Sequence, residues 1–530
     1  MPKLRLSIPP QLPLILLLAA MLRLWRLAAK PLWVDELYTA FNSLGKSLDE
    51  IPVGRLLPVG DYWALLGNPG SIWQAAQTVT TSSNHPPLFF IMMNGWLHQV
   101  GTSVWSLRAL AVLWGVVAVA GMFYLGQRLS NPRVGALAAL LMAVSPYGIY
   151  LSQESRHYSL AIAIALLALI NWSALLQGER ALWRWLSWIG LNALGVYIHY
   201  FYGFSIIAQW LVTISRIIWR RDRRNQAFPW LLAMGCTALL YLPWLPTAWT
   251  HFYSEGGTNW LSQSAPLWQS LLLPWLQSLV AGVFMLILLP VEQVPLAVTI
   301  VSALIMLSVF GIVLNQLIRG WQQETQLDLT APIVSYGLIV FGIMMAITYG
   351  LAKDLTLAPR YFFMLYPAIT LVMAQALARR KRWVIITAIA AGILSQLLIS
   401  YDIALLKPYL PGQIGRRLGA ASQPTIVLIA PQRDGYRARA LSYVLAMPPD
   451  NPNTQVAFTD PAGVKSWQPV LSGDIPTQDL TLWLVEPQRK VPFPPVVQLS
   501  QQVCFPTGER INTEGTRQQQ YQCSAMGPDS

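Results

Sequence analysis

The chain has 530 residues, of which 54% are hydrophobic and only 11% are charged, and its formal net charge is +13. This composition excludes a series of soluble domains for most of the chain and predicts a polytopic membrane protein. The charge excess lies in residues 1–400, with 25 Lys and Arg against 13 Asp and Glu, largely in short loops between apolar runs. Basic short loops are typical of the cytoplasmic side of a membrane, so the charge does not indicate a nucleic-acid partner.

The first apolar run, Gln11–Ala28, follows Lys3 and Arg5 and has no small-residue cleavage site. We therefore expect a retained first span with a cytoplasmic N-terminus rather than a removed signal peptide. Arg23 and Arg26 lie near the opposite end of this span, on one helix face. They oppose the charge trend of cytoplasmic loops, so we expect them to face the protein interior or a lipid headgroup.

Two adjacent carboxylates, Asp35 and Glu36, follow the first span within the stretch Pro31-Leu32-Trp33-Val34-Asp35-Glu36. Such a pair at a membrane surface costs desolvation and mutual repulsion, so it is expected to have partners and a task. The alternative is a solvated acidic turn. We assign residues 29–106 to a first extracytoplasmic loop.

An apolar run inside this loop, Leu88–Val100, follows His85-Pro86-Pro87 and contains Asn94 and His98. It is short for a full crossing, and the pattern favours an amphipathic helix at the membrane interface. A short transmembrane helix is the alternative, but it would place the later basic loops outside.

Ten further spans bring the predicted total to about eleven: Leu107–Gly126, Val134–Leu151, Tyr158–Leu176, Trp185–Tyr200, Phe201–Trp219, Pro229–Thr247, Leu296–Ile318, Pro332–Gly350, Tyr361–Ala378 and Trp383–Ser400. Their basic connections, including Arg220–Arg224 and Arg379–Arg382, are predicted to be cytoplasmic. Residues 248–295 form a second large extracytoplasmic loop, in which the Pro-interrupted run Leu267–Pro290 is interfacial or re-entrant.

After residue 400 the composition changes to that of a soluble, Pro-rich segment. Thr425–Ala430 and Leu480–Val485 have the pattern of buried strands, with a helix at Arg437–Leu445 between them. We therefore predict two domains, a transmembrane module at 1–400 and a small extracytoplasmic α/β domain at 401–530. Cys504 and Cys523 lie in the second domain and can pair in an oxidising compartment, whereas Cys236 lies in a span.

Reactive side chains collect on the predicted extracytoplasmic side. All five histidines fall there: His85, His98, His157, His199 and His251. The acidic pair, the run Gln153-Glu154-Ser155-Arg156-His157-Tyr158 and Arg360-Tyr361 fall there too. Acids, imidazoles and arginines on one face of a helix bundle indicate an outward-facing polar cavity, and the planar fork of Arg suits a phosphate. Each signal alone has an ordinary explanation, such as a snorkelling Arg or a locally bonded His.

These motifs, in order, resemble the GT-C-fold membrane glycosyltransferases of the protein O-mannosyltransferase and aminoarabinose-transferase type. The resemblance is carried by Arg23-Leu24-Trp25-Arg26-Leu27, the Asp35-Glu36 stretch, His85-Pro86-Pro87-Leu88, Ser106-Leu107-Arg108, Gln153–Tyr158 and Arg360-Tyr361. The acidic loop followed by His-Pro-Pro is fairly specific, whereas the Arg-Tyr pair is not. The segment after residue 400 resembles no family that we can name.

The resemblance implies an integral-membrane glycosyltransferase of a bacterial plasma membrane that uses a polyprenyl-phosphate-linked monosaccharide. Its acceptor, a protein, lipid or glycan, is on the extracytoplasmic side. Asp35 is implied as the general base, with Glu36 or Glu154 as an orienting or metal-coordinating partner. Arg156 and Arg360 are implied to contact the phosphate, and a single base implies inversion at the anomeric carbon.

The resemblance also gives a set of substrate-binding candidates: His85, Glu154, Arg156, Tyr158, His199, Arg360 and Tyr361. No cofactor is required by the sequence, but a divalent metal is considered, with Glu36, Glu154 and His199 as candidate ligands. A Gly-rich phosphate loop and an Asp-x-Asp nucleotide-sugar motif on the cytoplasmic side are not evident in the sequence, which favours a lipid-linked donor.

Two other classes are compatible with polar groups in a helix bundle. A transporter or flippase for lipid-linked sugars is expected to show internal symmetry and ionisable residues at mid-membrane depth. The polar groups of this chain instead cluster at helix ends on one side. A polysaccharide polymerase that joins lipid-linked repeats is the other alternative.

Overall fold

The computed structural model describes residues 10–219, 227–253, 261–262, 266–321, 327–404, 407, 409–430, 434–459, 472, 475–487, 492–513 and 515–525. The basic loop predicted at Arg220–Arg224 lies outside these residues. Helices make up most of the described chain up to Gly419, and a β-sheet dominates after it.

Five helices occupy the first span and the first loop: α1 Gln11–Leu24, α2 Val34–Leu44, α3 Val59–Ala64, α4 Ile72–Ser82 and α5 Leu88–Val100. The long apolar part follows as α6 Val104–Leu129, α7 Pro132–Val144, α8 Pro146–Ser152, α9 Tyr158–Leu176, α10 Leu182–Ile198, α11 Tyr202–Trp219, α12 Ala227–Tyr241, α13 Leu245–Tyr253, α14 Leu267–Phe284, α15 Leu296–Trp321, α16 Leu327–Gly350, α17 Tyr366–Leu377 and α18 Arg382–Ser400. Two helices lie in the C-terminal part, α19 Pro411–Gly419 and α20 Asp434–Val444.

Each predicted span overlaps at least one helix, and two predicted spans are divided: Val134–Leu151 between α7 and α8, and Pro229–Thr247 between α12 and α13. In the described part of the chain, six are long and apolar enough to cross a membrane: Val104–Leu129, Tyr158–Leu176, Ala227–Tyr253, Leu296–Arg319, Thr330–Gly350 and Arg382–Ser400. The bent pair α7 and α8 adds a seventh if it is one span, and α1 and α17 are shorter apolar helices. The helical, membrane-type architecture is therefore confirmed. The total of eleven crossings and the interfacial placement of α5 and α14 stay predictions.

The break between α7 and α8 bends the chain by 61° and has an identifiable cause. Pro146 has no N–H, so it leaves the carbonyl of Met142, four residues earlier, without its helical donor. Arg23 of α1 donates to this oxygen at 3.1 Å and to Ala143 O at 2.9 Å, and its Nε donates to Ser152 Oγ at 3.2 Å. Arg23 is 1% exposed. The expectation that it faces the interior is confirmed. Its guanidinium donates to the carbonyl oxygens that the break between α7 and α8 leaves without helical donors.

Arg26, on the next turn, differs from Arg23 because its side chain is exposed. Its Nε donates to Ser400 O at 3.2 Å, and its guanidinium lies 4.4 Å from the ring centroid of Tyr401. The chain after α1 is also held by Arg108, which donates to Leu27 O at 2.7 Å. These contacts fix the residues at which the first helix ends.

Contacts divide the described chain into two compact units. The helical unit comprises Met1–Leu27, Ser83–Phe89 and Arg108–Leu405, and the sheet unit comprises Ala28–Ser82, Phe90–Leu107 and Leu406–Ser530. This division differs from the predicted one, which placed the first loop with residues 1–400. The reason is strand pairing between the loop and the C-terminal segment, through a strand too short for sequence to indicate.

The sheet has seven strands in the described residues, in the order β1-β3-β2-β4-β7-β6-β5. They are β1 Leu57–Pro58, β2 Thr425–Ile429, β3 Thr454–Phe458, β4 Leu480–Glu486, β5 Val497–Leu499, β6 Gln502–Thr513 and β7 Thr516–Ala525. β2 is parallel to β3 and β4, and every residue of β2 is buried, as expected for a central parallel strand. The predicted strands and the helix between them are confirmed by β2, β4 and α20, and the α/β character of the C-terminal segment with them.

The first loop adds the edge strand β1, which pairs antiparallel with β3. Nearby, the hydroxyl of Tyr62 donates to Val456 O at 3.0 Å, and the phenol is fully buried. Residues on both sides of the long apolar part of the sequence therefore build one sheet.

Cys504 and Cys523 form a disulfide between β6 and β7, where they lie directly opposite each other. The predicted pairing is confirmed, and Cys236 is free. Both bonded cysteines are buried in the hydrophobic core of the sheet unit.

We predict that thiol labelling of denatured, unreduced protein will modify one cysteine per chain, Cys236, and that reductant will raise this to all three. The bond closes a loop with a sequence separation of 19 residues, for which loss of the cross-link costs about 3 kcal/mol of stability. Cys504→Ala with Cys523→Ala should therefore unfold at lower temperature than Cys236→Ala. Labelling of all three thiols without reductant would contradict the pairing.

Candidate functional site

The loop between α8 and α9 carries the sequence Gln153-Glu154-Ser155-Arg156-His157 and is tied to the end of α1. The Gln153 amide donates to Arg23 O at 3.0 Å and to Trp25 O at 3.1 Å, which are carbonyls that the end of a helix leaves open. Glu154, Ser155, Arg156 and His157 are all buried. The loop is therefore a fixed part of the helical unit rather than a solvent-exposed turn.

Arg156 and His85, 71 residues apart in sequence, are in direct contact. Arg156 Nη2 lies 3.0 Å from His85 Nε2. A guanidinium can only donate, so His85 Nε2 must be the acceptor and its ring proton must be on Nδ1. His85 Nδ1 lies 3.4 Å from Ser83 Oγ, in agreement with this tautomer. His85 is therefore neutral and holds Arg156 in place.

Two more imidazoles complete the group. The ring centroids of His85 and His157 are 5.1 Å apart, those of His157 and His199 are 4.6 Å apart, and those of His85 and His199 are 6.3 Å apart. His199 Nδ1 accepts the Phe201 amide at 3.0 Å, which leaves the ring proton on Nε2. We call His85, Arg156, His157 and His199 the imidazole–arginine cluster.

Burial and the neighbouring cations keep these rings neutral. Burial, followed by the charge of Arg156, lowers the pKa of His199 to about 3. Burial, Arg156 and Arg360 all lower the pKa values of His85 and His157 well below their usual range. The cluster thus contains neutral N–H donors beside fixed positive charge.

Aromatic rings surround the cluster and lead to the second arginine. Tyr158 lies 4.8 Å from His157 and Phe363 lies 4.8 Å from His199, measured between ring centroids. Arg360 lies 5.6 Å from the ring centroid of its neighbour Tyr361. The buried Tyr147 donates its hydroxyl towards Pro359 O and Arg360 O, at 3.1 and 3.2 Å. The hydroxyl of Tyr147, in α8, therefore holds the backbone at Arg360 in place.

The structure thus brings six of the nine predicted site residues into one neighbourhood of the helical unit: His85, Arg156, Tyr158, His199, Arg360 and Tyr361. Glu154 is 2% exposed in the same loop, where its carbonyl accepts the Arg156 amide at 2.7 Å. Asp35 and Glu36 belong to the sheet unit.

The acidic pair lies in the first turn of α2, and its two members differ in burial. Glu36 is fully buried, and its Oε2 accepts the Trp33 amide at 3.4 Å and lies 4.0 Å from Lys407 Nζ. Asp35 is only half-buried. The N-terminal turn of a helix favours negative charge. Glu36 thus has a local structural task, and Asp35 is the member that a reactant can approach.

The candidate metal ligands are Glu36, Glu154 and His199. No group of three or more His, Cys, Asp or Glu side chains among the described residues is placed to hold a metal ion. The imidazole–arginine cluster is also a poor cation site, because Arg156 occupies His85 Nε2 and the Phe201 amide occupies His199 Nδ1. The described residues of the cluster therefore do not fit a metal centre.

Sequence reasoning gave no role to several residues that build this site. His157 lies inside the motif Gln153–Tyr158, and the sequence assigns it no role of its own, although it contacts both other rings. Tyr147 and Phe363 had no signal of their own, because aromatic residues near helix ends are common in membrane proteins. His98 and His251 have local partners instead: Gly70 O at 3.0 Å and the Tyr200 hydroxyl at 2.7 Å.

Comparison with known families matches residues 84–246 to the family described as dolichyl-phosphate-mannose-protein mannosyltransferase. The matched stretch contains the whole imidazole–arginine cluster, Glu154 and Tyr158, but not Asp35, Glu36, Arg360 or Tyr361. The resemblance predicted from the motifs is therefore confirmed over this stretch. A search of curated proteins gave no match.

Among solved structures, ArnT from Cupriavidus metallidurans in the apo state is 11% identical over 91% of this chain and 96% of that chain, with a TM-score of 0.42. The same protein bound to undecaprenyl phosphate is 10% identical over 97% and 98%, with a TM-score of 0.46. The archaeal oligosaccharyltransferase AglB from Archaeoglobus fulgidus, in complex with an inhibitory peptide and a dolichol-phosphate, is 11% identical over 90% and 69%, with a TM-score of 0.45.

The neutral imidazoles predict a pH dependence of stability. Unfolded histidines ionise near pH 6.5, whereas the folded pKa of His199 is about 3. The stability that this neutral ring contributes is therefore complete above about pH 6.5 and is lost as the pH falls from there towards 3. We expect the unfolding temperature in detergent to fall over this window, and to fall less steeply in His199→Gln. His98→Gln, which lies outside the cluster, should keep the parent slope. Equal slopes in all three proteins would contradict the neutral assignment.

Proposed function

We propose that this chain is an integral-membrane glycosyltransferase with a GT-C-type fold. It would move a monosaccharide from a polyprenyl-phosphate donor to a protein, lipid or glycan on the extracytoplasmic side, with inversion. The family match over residues 84–246 and the apolar helices support the class. The observation that carries the proposal is the contact of Arg156 with His85 inside the matched stretch, next to two further neutral imidazoles.

The charge of the cluster suits a phosphate that becomes more negative during the reaction. A sugar–phosphate–lipid diester carries one negative charge, whereas the departing lipid phosphate is a monoester and approaches two. Arg156 and Arg360 supply two fixed positive charges, and the neutral imidazoles add N–H donors without further charge. Such groups stabilise the departing phosphate more than the intact donor, which is the requirement for catalysis.

Asp35 is proposed as the general base. It would take the proton of the acceptor hydroxyl while the acceptor oxygen bonds to the anomeric carbon, and the electron pair of the broken carbon–oxygen bond would leave with the phosphate. Its half-buried position in the first turn of α2, where the helix N-terminus favours negative charge, supports an accessible carboxylate. Glu36, which is fully buried, would orient the turn. A single displacement of this kind inverts the anomeric centre.

The extracytoplasmic placement of the sheet unit is supported by the disulfide between Cys504 and Cys523, because such bonds persist in oxidising compartments. The basic stretch at Arg379–Arg382 supports a cytoplasmic position for the loop before α18. On this proposal the N-terminus is cytoplasmic, and the enzyme belongs to a plasma membrane of bacterial type.

The test is sugar transfer by purified protein from a polyprenyl-phosphate monosaccharide, with Asp35→Asn compared with the parent. Asparagine keeps the size and removes the base, so we expect turnover to fall by roughly 10²–10⁴-fold with little change in donor binding. Asp61→Asn is the matched control, because Asp61 is an exposed acid in the first turn of α3 in the same loop.

Near-parent turnover in Asp35→Asn would remove this carboxylate from the chemistry. If the parent itself moves a lipid-linked sugar across liposome membranes without transferring it, the transferase proposal is wrong and the transporter alternative is favoured.

A further inference from the structure

Helix α2, which carries Asp35 and Glu36, starts without a capping residue of the usual kind. Its N-cap is Trp33, whereas Ser, Thr, Asp and Asn are the residues that satisfy the open amides of a first turn. Glu36 reaches back to the Trp33 amide, which accounts for one of them. The next amide, that of Val34, requires an acceptor from elsewhere in the chain.

Tyr409 supplies this acceptor from 375 residues away. The Val34 amide donates to the Tyr409 hydroxyl at 2.8 Å, and the side chain of Tyr409 is 2% exposed. Ser442 gives its own proton to Arg439 O, so the Tyr409 hydroxyl donates to Ser442 Oγ, at 3.2 Å. The direction of each hydrogen bond from Val34 through Tyr409 and Ser442 to Arg439 is therefore fixed. This series of hydrogen bonds connects α2 to α20.

The surroundings of Tyr409 hold its ring as well as its hydroxyl. Arg439 lies 4.5 Å from the ring centroid, and the ring of Tyr443 lies 5.8 Å away at nearly a right angle. Arg439 Nε in turn donates to the Tyr443 hydroxyl. A phenol packed in this way loses little further entropy when it bonds to Val34, which makes it an effective cap.

Lys407, two residues before Tyr409, faces the acidic pair itself. Its Nζ lies 4.0 Å from Glu36 Oε2 and 5.1 Å from the ring centroid of Trp33. Because Glu36 is fully buried, its carboxylate depends on such a cation to stay ionised. An ionised Glu36 also accepts the Trp33 amide more strongly than a neutral carboxyl would.

We propose that Lys407 and Tyr409 are positioning residues for the acidic turn: Tyr409 caps α2, and Lys407 holds Glu36 ionised, so that Asp35 is presented in one fixed geometry. This inference rests on the proposed role of Asp35 as the base and deepens it. It gives the segment after residue 400, which lies outside the family match at residues 84–246, a part in the reaction.

The cap is tested with Tyr409→Phe, which keeps the ring and removes the acceptor. Hydrogen exchange of the full-length protein should show the first turn of α2 exchanging at least about tenfold faster, the effect of losing one cap worth about 1.4 kcal/mol. In sugar transfer, kcat should fall by a similar factor while the donor KM stays near the parent value. Tyr521→Phe is the matched control, because its hydroxyl bonds to Pro494 O in the same unit.

The charge is tested with Lys407→Met and Lys407→Arg. Loss of the cation disfavours the ionised carboxylates, so the acid limb of the pH dependence of kcat/KM should move to higher pH in Lys407→Met. Lys407→Arg should restore the parent limb. A purely structural role for Lys407 would lower activity equally at all pH values.

The outcomes separate this inference from the proposed function. If the parent transfers sugar but Tyr409→Phe matches it in both exchange and kcat, and Lys407→Met keeps the parent pH profile, the positioning role is wrong. If the parent transfers no sugar, the proposed function is wrong, and the exchange of α2 in Tyr409→Phe decides the cap by itself. Should Tyr409→Phe fail to fold, the pH profiles of Lys407→Met and Lys407→Arg decide whether the positioning role is correct.

Discussion

The hydrogen bonds of Arg23 at the break between α7 and α8 are the constraint on which the candidate site depends. Pro146 leaves the Met142 carbonyl without its helical donor, which is costly in a low-dielectric interior, and Arg23 of α1 supplies a replacement donor. Helix α8 starts at this bend and leads into the loop Gln153–His157. The same loop returns a hydrogen bond from Gln153 to the end of α1. Helix end and site loop therefore fix each other.

The charge of the candidate site comes from two arginines, because the imidazoles beside them are neutral. Arg156 and Arg360 bring positive charge to a place from which water is largely removed, and such charge attracts a phosphate strongly. The imidazoles stay neutral because burial and the arginines oppose their protonation. On the proposed function, protonated imidazoles would bind the donor and the departing phosphate alike, whereas neutral His85 orients Arg156 and the neutral rings add directional donors.

The sequence predicted the elements that depend on local pattern. Apolar runs and turn residues specify a helix or a strand through residues that are close together in the chain. The apolar helices, α5 and the strands β2 and β4 follow from such patterns, whereas the disulfide was predicted from the presence of two cysteines in the segment after residue 400. It did not predict the edge strand at Leu57–Pro58, the role of His157 or the cap from Tyr409, since each depends on residues far apart in the chain. Of the site, the residue types were predictable, whereas the neutral state of His85 required the 3.0 Å contact with Arg156.

The central claim, that the imidazole–arginine cluster and the neighbouring Arg360 bind the lipid phosphate, is tested most directly by equilibrium binding of a polyprenyl phosphate without sugar. The parent should bind it saturably, and Arg156→Gln and Arg360→Lys should each weaken binding about tenfold or more, since a hydrogen bond to a charged group contributes about 1.5–3 kcal/mol. Arg128→Gln, which removes a guanidinium paired with Glu179 outside the cluster, should bind like the parent. Equal affinity in all four proteins, or no saturable binding by the parent, would contradict the account.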